Sequence, residues 1–396
     1  MGAEFLDSPL NPQAMFDFDA TCAFGLEAVL GRELKALGLE GVHSDNGHVF
    51  FRGDFLAMAR ANLWARTADR IWLRLGTFPA TSFEDVFQGV RSLPWAELLP
   101  QDAEFPVEGL SHGSQLSSVP ALQSVTKKAV VEALAARYGA QTFPENGARF
   151  PIRISLAKDR ASISLDTSGT GLHKRGYRLL TTEAPIRETL ASGMILLSYW
   201  EAGRLLVDPF CGSGTILLEA AMIGLRRAPG WQREFASEHW PAVGAQVWRE
   251  ARQEVEDLFD RSTKLRISGS DGDDQAIRLA NQNLARAGLE ERGITFRTRP
   301  LQQLATNTEY GVLITNPPYG ERLSDRQEVE QLYREFGRIV VPWLQTWSAY
   351  VITNHPEFVS CFGRTPDKRR KLYNGMIECT LHQFLGPRPP RVATEP

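Results

Sequence analysis

The pattern of apolar and polar positions changes character near residue 186. Before it, short alternating stretches are interleaved with isolated amphipathic helices. Phe16–Ala20 alternates with the period of two of a half-buried strand, and Gly25–Leu37 puts Leu26, Val29, Leu30 and Leu34 on one helical face. Asn46-Gly47 is a turn signal with a strand at His48–Phe51 after it. Asp54 is placed to cap a helix to about Ala65, Ile71–Phe78 reads as a strand, and Ser82–Ser92 as a helix. A second α+β stretch follows: strand Glu104–Leu110, the polar loop Gly113–Ser118, and a helix from Pro120 to about Tyr138. Two strands, Pro151–Leu156 and Ala161–Leu165, are joined at Lys158-Asp159-Arg160. Met1–Met15 is polar and reads as a disordered or vector-derived start.

From Ile186 onward helix and strand alternate. The expected elements are helix Ile186–Trp200, strand Arg204–Asp208, helix Thr215–Arg227, strand Arg266–Ser270, helix Asp274–Ala287 and strand Ile294–Arg297. Strand Val312–Thr315, helix Glu328–Trp343, and strands Ala349–Thr353 and Met376–Gln383 complete the series. Such alternation predicts a mostly parallel sheet covered by helices on both faces. Ala228–Leu265 interrupts it with Trp231, Trp240, Trp248 and many charges, and reads as an inserted loop and helix.

Composition narrows the reading only slightly. The 396 residues, 43% hydrophobic and 23% charged, suit a globular chain of two or three domains. No apolar run approaches the ~20 residues of a membrane helix, and no basic, then apolar, leader opens the chain. The four cysteines, at 22, 211, 361 and 379, form no CxxC pair, so neither a metal site nor a disulfide framework is expected, and a reducing cytoplasm fits. A net charge of −3 excludes a general basic coat, leaving any nucleic-acid site to local patches.

Two stretches carry chemistry. Asp208-Pro209-Phe210-Cys211-Gly212-Ser213-Gly214-Thr215 follows an apolar strand and opens a helix, the first crevice of a doubly wound sheet. Its glycines permit close approach of a ligand, and the helix N-terminus attracts a carboxylate such as that of a methionine moiety. No Lys precedes Thr215, which excludes a Walker-type phosphate loop. Asp271, at the end of the next strand, is placed to accept ribose hydroxyls, with Asp273 or Asp274 as the helix cap. Asn316-Pro317-Pro318-Tyr319 leaves a further strand at the same edge. An exocyclic base amine is a poor nucleophile because its lone pair is delocalised. The Asn316 amide oxygen and the Pro317 carbonyl can accept its hydrogens and localise that pair, in a loop stiffened by Pro317 and Pro318. Tyr319 can stack on an extruded base. No Cys stands in this loop, which argues against C5 methylation of a pyrimidine. Cys211 reads as a buried packing residue. Two basic clusters, Lys174, Arg175, Tyr177 and Arg178 after His173, and Lys368, Arg369, Arg370 and Lys371 after Arg364, suit phosphate contact and stacking. The second is expected in a loop bordering the active face.

These residues resemble class I methyltransferase motifs of the amino-methylating type, with Gly320-Glu321-Arg322-Leu323 continuing the last one. Asp166-Thr167-Ser168-Gly169, His173–Arg178, Ala184-Pro185-Ile186-Arg187-Glu188 and Lys371-Leu372-Tyr373-Asn374-Gly375 together resemble the bacterial THUMP-domain guanine-N2 methyltransferases of large-subunit ribosomal RNA, over Phe16 to Phe384. The resemblance implies an α/β chain: a ferredoxin-like domain over 16–80, a THUMP RNA-binding domain over 81–168, a linker over 169–185 and a Rossmann-like methyltransferase domain over 186–396. It implies S-adenosylmethionine as donor, S-adenosylhomocysteine as product, no metal, and RNA as partner. Asp208, Phe210, Cys211, Gly212, Ser213, Gly214, Thr215 and Asp271 would hold the donor, with Arg187 and Glu188 near it, Asn316 would reach both donor and guanine, and Tyr319 the guanine. Where relatives carry an Asp or Asn facing the adenine amine, this chain reads Arg297-Thr298-Arg299-Pro300-Leu301-Gln302-Gln303, so either Gln302 or backbone groups read adenine. Transfer-RNA guanine methylation, DNA adenine or protein glutamine methylation, and a non-enzymatic assembly factor are the competing readings.

Overall fold

The computed structural model describes residues 14–140, 142–178, 186–320 and 325–390, with the backbone alone at residues 4, 5 and 325. Most of the 1–15 start, Ala184, Pro185 and residues 321–323 of the motifs above lie outside the described residues. The chain divides into two units: Met1–Cys22, Leu30–Leu172 and Arg233–Asp257 in the first, Ala23–Val29, His173–Gln232 and Leu258–Pro396 in the second.

The first unit is built on one sheet. Its strands are β1 (Glu4–Phe5), β2 (Phe16–Cys22), β3 (Glu40–Asp45), β4 (His48–Gly53), β5 (Ala68–Pro79), β6 (Val107–His112), β7 (Ile152–Ala157) and β8 (Arg160–Asp166). They run in the order β3-β4-β2-β5-β8-β7-β6, with β1 against β5. The strands of the two expected N-terminal domains are thus continuous: β5 pairs antiparallel with β8, Trp72 opposite Asp166. The start of the chain contributes a strand at Glu4–Phe5 where a disordered start was expected. β3 was not anticipated. It is an edge strand of nearly all exposed residues, so no apolar alternation marks it. The β7–β8 turn holds Lys158 at φ 50° and Asp159 at φ 58°, the left-handed pair that a two-residue hairpin requires.

The second unit alternates as expected. Its strands are β9 (Leu206–Asp208), β10 (Ile267–Asp271), β11 (Ile294–Thr298), β12 (Val312–Thr315), β13 (Ser348–Thr353), β14 (Lys368–Asn374) and β15 (Ile377–Phe384). Their order is β11-β10-β9-β12-β13-β15-β14. β9 to β13 pair in parallel, and β15 runs antiparallel to both neighbours. β12 and β13 are buried at every position, as parallel strands covered on both faces are. Leu313, Ala349 and Val351 pack with Tyr333 and Phe336 of the helix Asp325–Val340 and with Trp347, Phe358 and Phe384. Lys368–Lys371 is a correction: these residues lie on the edge strand β14, not in a loop. A run of cations hides the period of two, and cations on an outer strand also discourage edge-to-edge pairing.

The inserted segment is split. Its part Arg233–Asp257 belongs to the first unit, where Trp240 stacks on Phe150 with ring centroids 4.9 Å apart and donates to the Arg149 carbonyl at 3.0 Å. Trp248 stacks on Phe235 at 5.0 Å.

A polar knot closes the first unit where β8 ends. Asn62, 1% exposed, donates to Thr167 Oγ1 at 2.9 Å and accepts from Ser168 Oγ at 2.6 Å. Thr167 Oγ1 in turn donates to the Ile71 carbonyl and Ser168 Oγ accepts from the Ile71 N–H, tying β5 to the same knot. Asn62→Ala would leave two buried hydroxyls short of a partner. It is expected to lower unfolding stability by about 2 kcal/mol, read as a lowered urea midpoint with unchanged m-value; an unchanged midpoint would refute this account.

Candidate active site

The chain leaves β9 to build β10 and β11 on one side, then returns to build β12 on the other. The crevice beyond the carboxyl ends of β9 and β12 is therefore the topological switch point of the sheet. The two chemical loops start there. Asp208 is the last residue of β9 and Thr315 the last of β12. The Thr315 hydroxyl donates to Asp208 Oδ1 at 2.6 Å, which pins the roots of the loops together.

Asp208 is 1% exposed and also accepts the Phe210 N–H at 3.1 Å. Burial pushes its carboxyl up to about 7, against the Thr315 hydrogen bond and with help from the charge of Asp271. Its expected contact with a donor is corrected accordingly: the side chain is spent inside the protein as a structural pin. Cys211, Ser213 and Thr215 are also buried. Burial raises the Cys211 thiol well above its usual range, in keeping with a packing residue. All four cysteines are buried thiols.

Gly214 stands at φ +85° as the residue before the helix Thr215–Gly224, and no side chain caps that helix. A Cβ on Gly214 would also meet Phe296 Cζ at 2.8 Å. The first-turn N–H groups of the helix are thus not taken by a cap and suit an anionic group. Asp271 accepts the Gly212 N–H at 2.9 Å and the Asp273 N–H at 3.0 Å, so its carboxylate shapes the loop at the mouth of the crevice. Asp273 caps the next helix through the Gln275 N–H. Phe210 is half-buried, edge-on to Phe336 at 5.3 Å. Gln302 is exposed and its amide nitrogen donates to Glu335 at 2.7 Å.

In the second loop the Pro318 carbonyl accepts the Tyr333 hydroxyl at 2.6 Å, and Pro317 is buried while Pro318 is exposed. Asn316 is partly exposed. The Tyr319 hydroxyl donates to Asn316 Oδ1, and Cys379 Sγ lies 3.6 Å from the same hydroxyl. Tyr319 is 9% exposed, which leaves little of its ring for the base stacking expected of it. Its visible work is to fix which way the Asn316 amide faces.

The first basic cluster requires the largest correction. Arg175 and Tyr177 are 3% and 1% exposed, and Arg178 is half-buried. The Tyr177 hydroxyl donates to Glu219 at 3.0 Å, Arg175 Nε lies 3.5 Å from Glu219, and Ser192 Oγ donates to the same carboxylate. Arg178 bonds Thr215 Oγ1 at 3.1 Å, the Ile186 carbonyl at 2.9 Å and Glu188 Oε2 at 2.9 Å. These residues brace the helix N-terminus from beneath and leave only Lys174 exposed as expected of an RNA patch. Burial pushes Glu188 up to about 7 despite Arg178, and burial with Arg187 and Arg175 nearby pushes His173 down to about 4. The network was missed, although Glu219, a lone carboxylate in the apolar helix Thr215–Gly224, was a legible sign of a buried partner. Arg187 is exposed; its N–H donates to Asn374 Oδ1 at 3.2 Å, beside the turn between β14 and β15. Lys368, Arg369 and Lys371 are exposed and Arg370 is half-buried, while Lys371 pairs with Glu378 at 2.6 Å.

Residues 175–383 match the RMKL-like methyltransferase domain. The chain belongs to the RMKL-like methyltransferases. Residues 17–72 match the RlmL ferredoxin-like domain and residues 80–166 the THUMP domain. The methyltransferase match begins at Arg175 and so contains the whole buried network. Over 379 residues, 95% of this chain and 98% of the relative, the chain is 45% identical to a candidate RNA methyltransferase, YpsC of Bacillus subtilis (strain 168). A crystal structure from Listeria monocytogenes str. 4b F2365, described as a predicted N6-adenine-specific DNA methylase, is 46% identical with a TM-score of 0.89, covering 94% of this chain and 97% of that one. SMU.472, a candidate methyltransferase crystallised with SAH, is 45% identical with a TM-score of 0.89, covering 95% and 99% of the two chains. Among the described residues no helix is long and apolar enough to cross a membrane.

The raised Asp208 carboxyl has a measurable consequence. Between its unfolded value near 4 and about 7, the folded protein holds a proton that the unfolded chain releases, so rising pH erodes this group's contribution to stability. Asp208→Asn keeps an acceptor for Thr315 and cannot ionise. Its melting temperature is expected to gain on wild type between pH 5 and pH 8, and a difference that stays constant over this range would show that Asp208 does not titrate late.

Proposed function

We propose that this chain transfers a methyl group from S-adenosylmethionine to the exocyclic N2 amine of a guanine in large-subunit ribosomal RNA. The observation that carries the proposal is the Thr315–Asp208 hydrogen bond, which sets the uncapped helix N-terminus and the Asn316 loop at adjacent strand ends. The residues fit the donor. The first-turn N–H groups after Gly214 suit its carboxylate, Gly212 and Asp271 form the crevice mouth, and Phe210 offers an apolar surface. When bound, the donor supplies a methyl on a positive sulfur; transfer breaks that S–C bond, forms the N–C bond, and leaves a thioether and a proton that departs to water.

This chain's part is to bind and polarise. The Asn316 oxygen has two lone pairs, so it can accept both the Tyr319 hydroxyl and one amine hydrogen. The Pro317 carbonyl accepts the other. Tyr333 holds the loop through Pro318, so both acceptors are ordered before the base arrives. The same loop chemistry serves an adenine amine in DNA, the substrate class in the description of the Listeria protein. RNA is favoured by the THUMP match over residues 80–166 and by the name of the Bacillus relative.

Asn316→Ala is expected to lower tritium-methyl transfer to RNA by at least about a hundredfold, with donor binding measured by calorimetry within about threefold of wild type. Ribosomal RNA, transfer RNA and DNA from a strain lacking the chain, offered in parallel, test the substrate. Full activity of Asn316→Ala, or transfer to DNA or transfer RNA alone, refutes the proposal.

A further inference from the structure

β14 and β15 form a hairpin that outruns the sheet. Thr353, the last residue of β13, aligns with Thr380, yet β14 and β15 continue to pair as far as Asn374 opposite Ile377. That is about 10 Å of hairpin beyond the carboxyl edge at ~3.3 Å per residue. Its turn is Gly375-Met376, with Gly375 at φ +65°, and Met376 at the tip is 98% exposed. Phe24, 54% exposed, meets Tyr373 edge-on at 6.1 Å, and Ile377 is 36% exposed. Isolated surface hydrophobics are ordinary. Here three of the seven large exposed ones among the described residues gather at one hairpin.

The hairpin is braced against the site. Cys379 contacts the Tyr319 hydroxyl at 3.6 Å, and Asn374 accepts from the Arg187 main chain at 3.2 Å. Tyr373 donates to Glu378 at 3.2 Å and Lys371 pairs with Glu378 at 2.6 Å, which stiffens one face. Exposed Lys368 and Arg369 continue along the same strand, a charge pattern that suits a phosphate backbone.

We propose that the β14–β15 hairpin is an RNA wedge, in which Met376 enters the base stack beside the target nucleotide and fills the space that the extruded base vacates. This rests on the reading above that a base amine is methylated. A paired base reaches the Asn316 loop only after leaving its stack, which costs a few kcal/mol unless an apolar group takes its place. An unbranched, polarisable Met on a rigid tip suits that task. The wedge also gives work to Lys371-Leu372-Tyr373-Asn374-Gly375, which the cofactor and base loops leave unused.

The test is tritium-methyl transfer by the full chain to total RNA from a strain lacking it, offered natively folded or heat-denatured and fragmented. Met376→Ala is expected to lose about tenfold or more in kcat/KM on folded RNA, and to stay within about twofold of wild type on denatured fragments. Met376→Leu, still apolar and long, should keep the wild-type rate on both. Full activity of Met376→Ala on folded RNA, or an equal loss on both substrates, overturns the wedge. Failure of the wild type to methylate any RNA overturns the substrate reading itself, an outcome that the variants do not share.

Discussion

One hydrogen bond organises the second unit's chemistry. The Thr315 hydroxyl reaches Asp208 across two adjacent parallel strands at 2.6 Å, at the point where the chain reverses direction through the sheet. Without such a tie, a glycine-containing turn and a proline-containing loop would each be free to settle separately. With it, the helix N-terminus after Gly214 and the loop that carries Asn316 and Pro317 leave adjacent strand ends. The tie requires a buried carboxylate, and burial is costly to a charge. The protein meets that cost by letting the carboxyl hold its proton up to about pH 7 and by giving it the Phe210 N–H as well.

The same logic governs the layer beneath. Glu219 is fully buried in an apolar helix and would be untenable alone. Tyr177, Ser192 and Arg175 converge on it, while Arg178 connects Thr215 with Ile186 and Glu188. Charges that look from the sequence like a nucleic-acid patch are here committed to holding the helix N-terminus in place. A cluster of Arg and Tyr is an RNA surface only if it reaches solvent, and burial is settled by partners far along the chain.

What could be read in the sequence follows from that distinction. The alternation after residue 186, the strand ends at Asp208, Asp271 and Thr315 and the Asp54 and Asp273 caps are encoded in local patterns, and the structure has them where local physics places them. β3 and β14 were illegible because edge strands need no apolar alternation, and the Lys368–Lys371 run mimics a loop. The Tyr319–Asn316 contact was hidden for another reason. Its geometry depends on Cys379 and Tyr333, which fold back from strands and helices well downstream.

The inserted segment adds a constraint on how the first unit can form. Arg233 donates to the carbonyls of Thr170 and Gly171, Ser237 closes on Thr167, and Trp240 covers Phe150. Those partners stand some sixty to ninety residues earlier, with β9 and the whole loop Asp208–Thr215 in between. A unit whose closing contacts span that separation must hold most of its sheet before the entropy of closure is repaid. The stretch through Leu172 therefore lacks part of its own core, which Arg233–Asp257 supplies. Trp240 and Trp248 of the insertion are that supply, stacked on Phe150 and Phe235, and this accounts for large aromatic residues in an otherwise charged interruption.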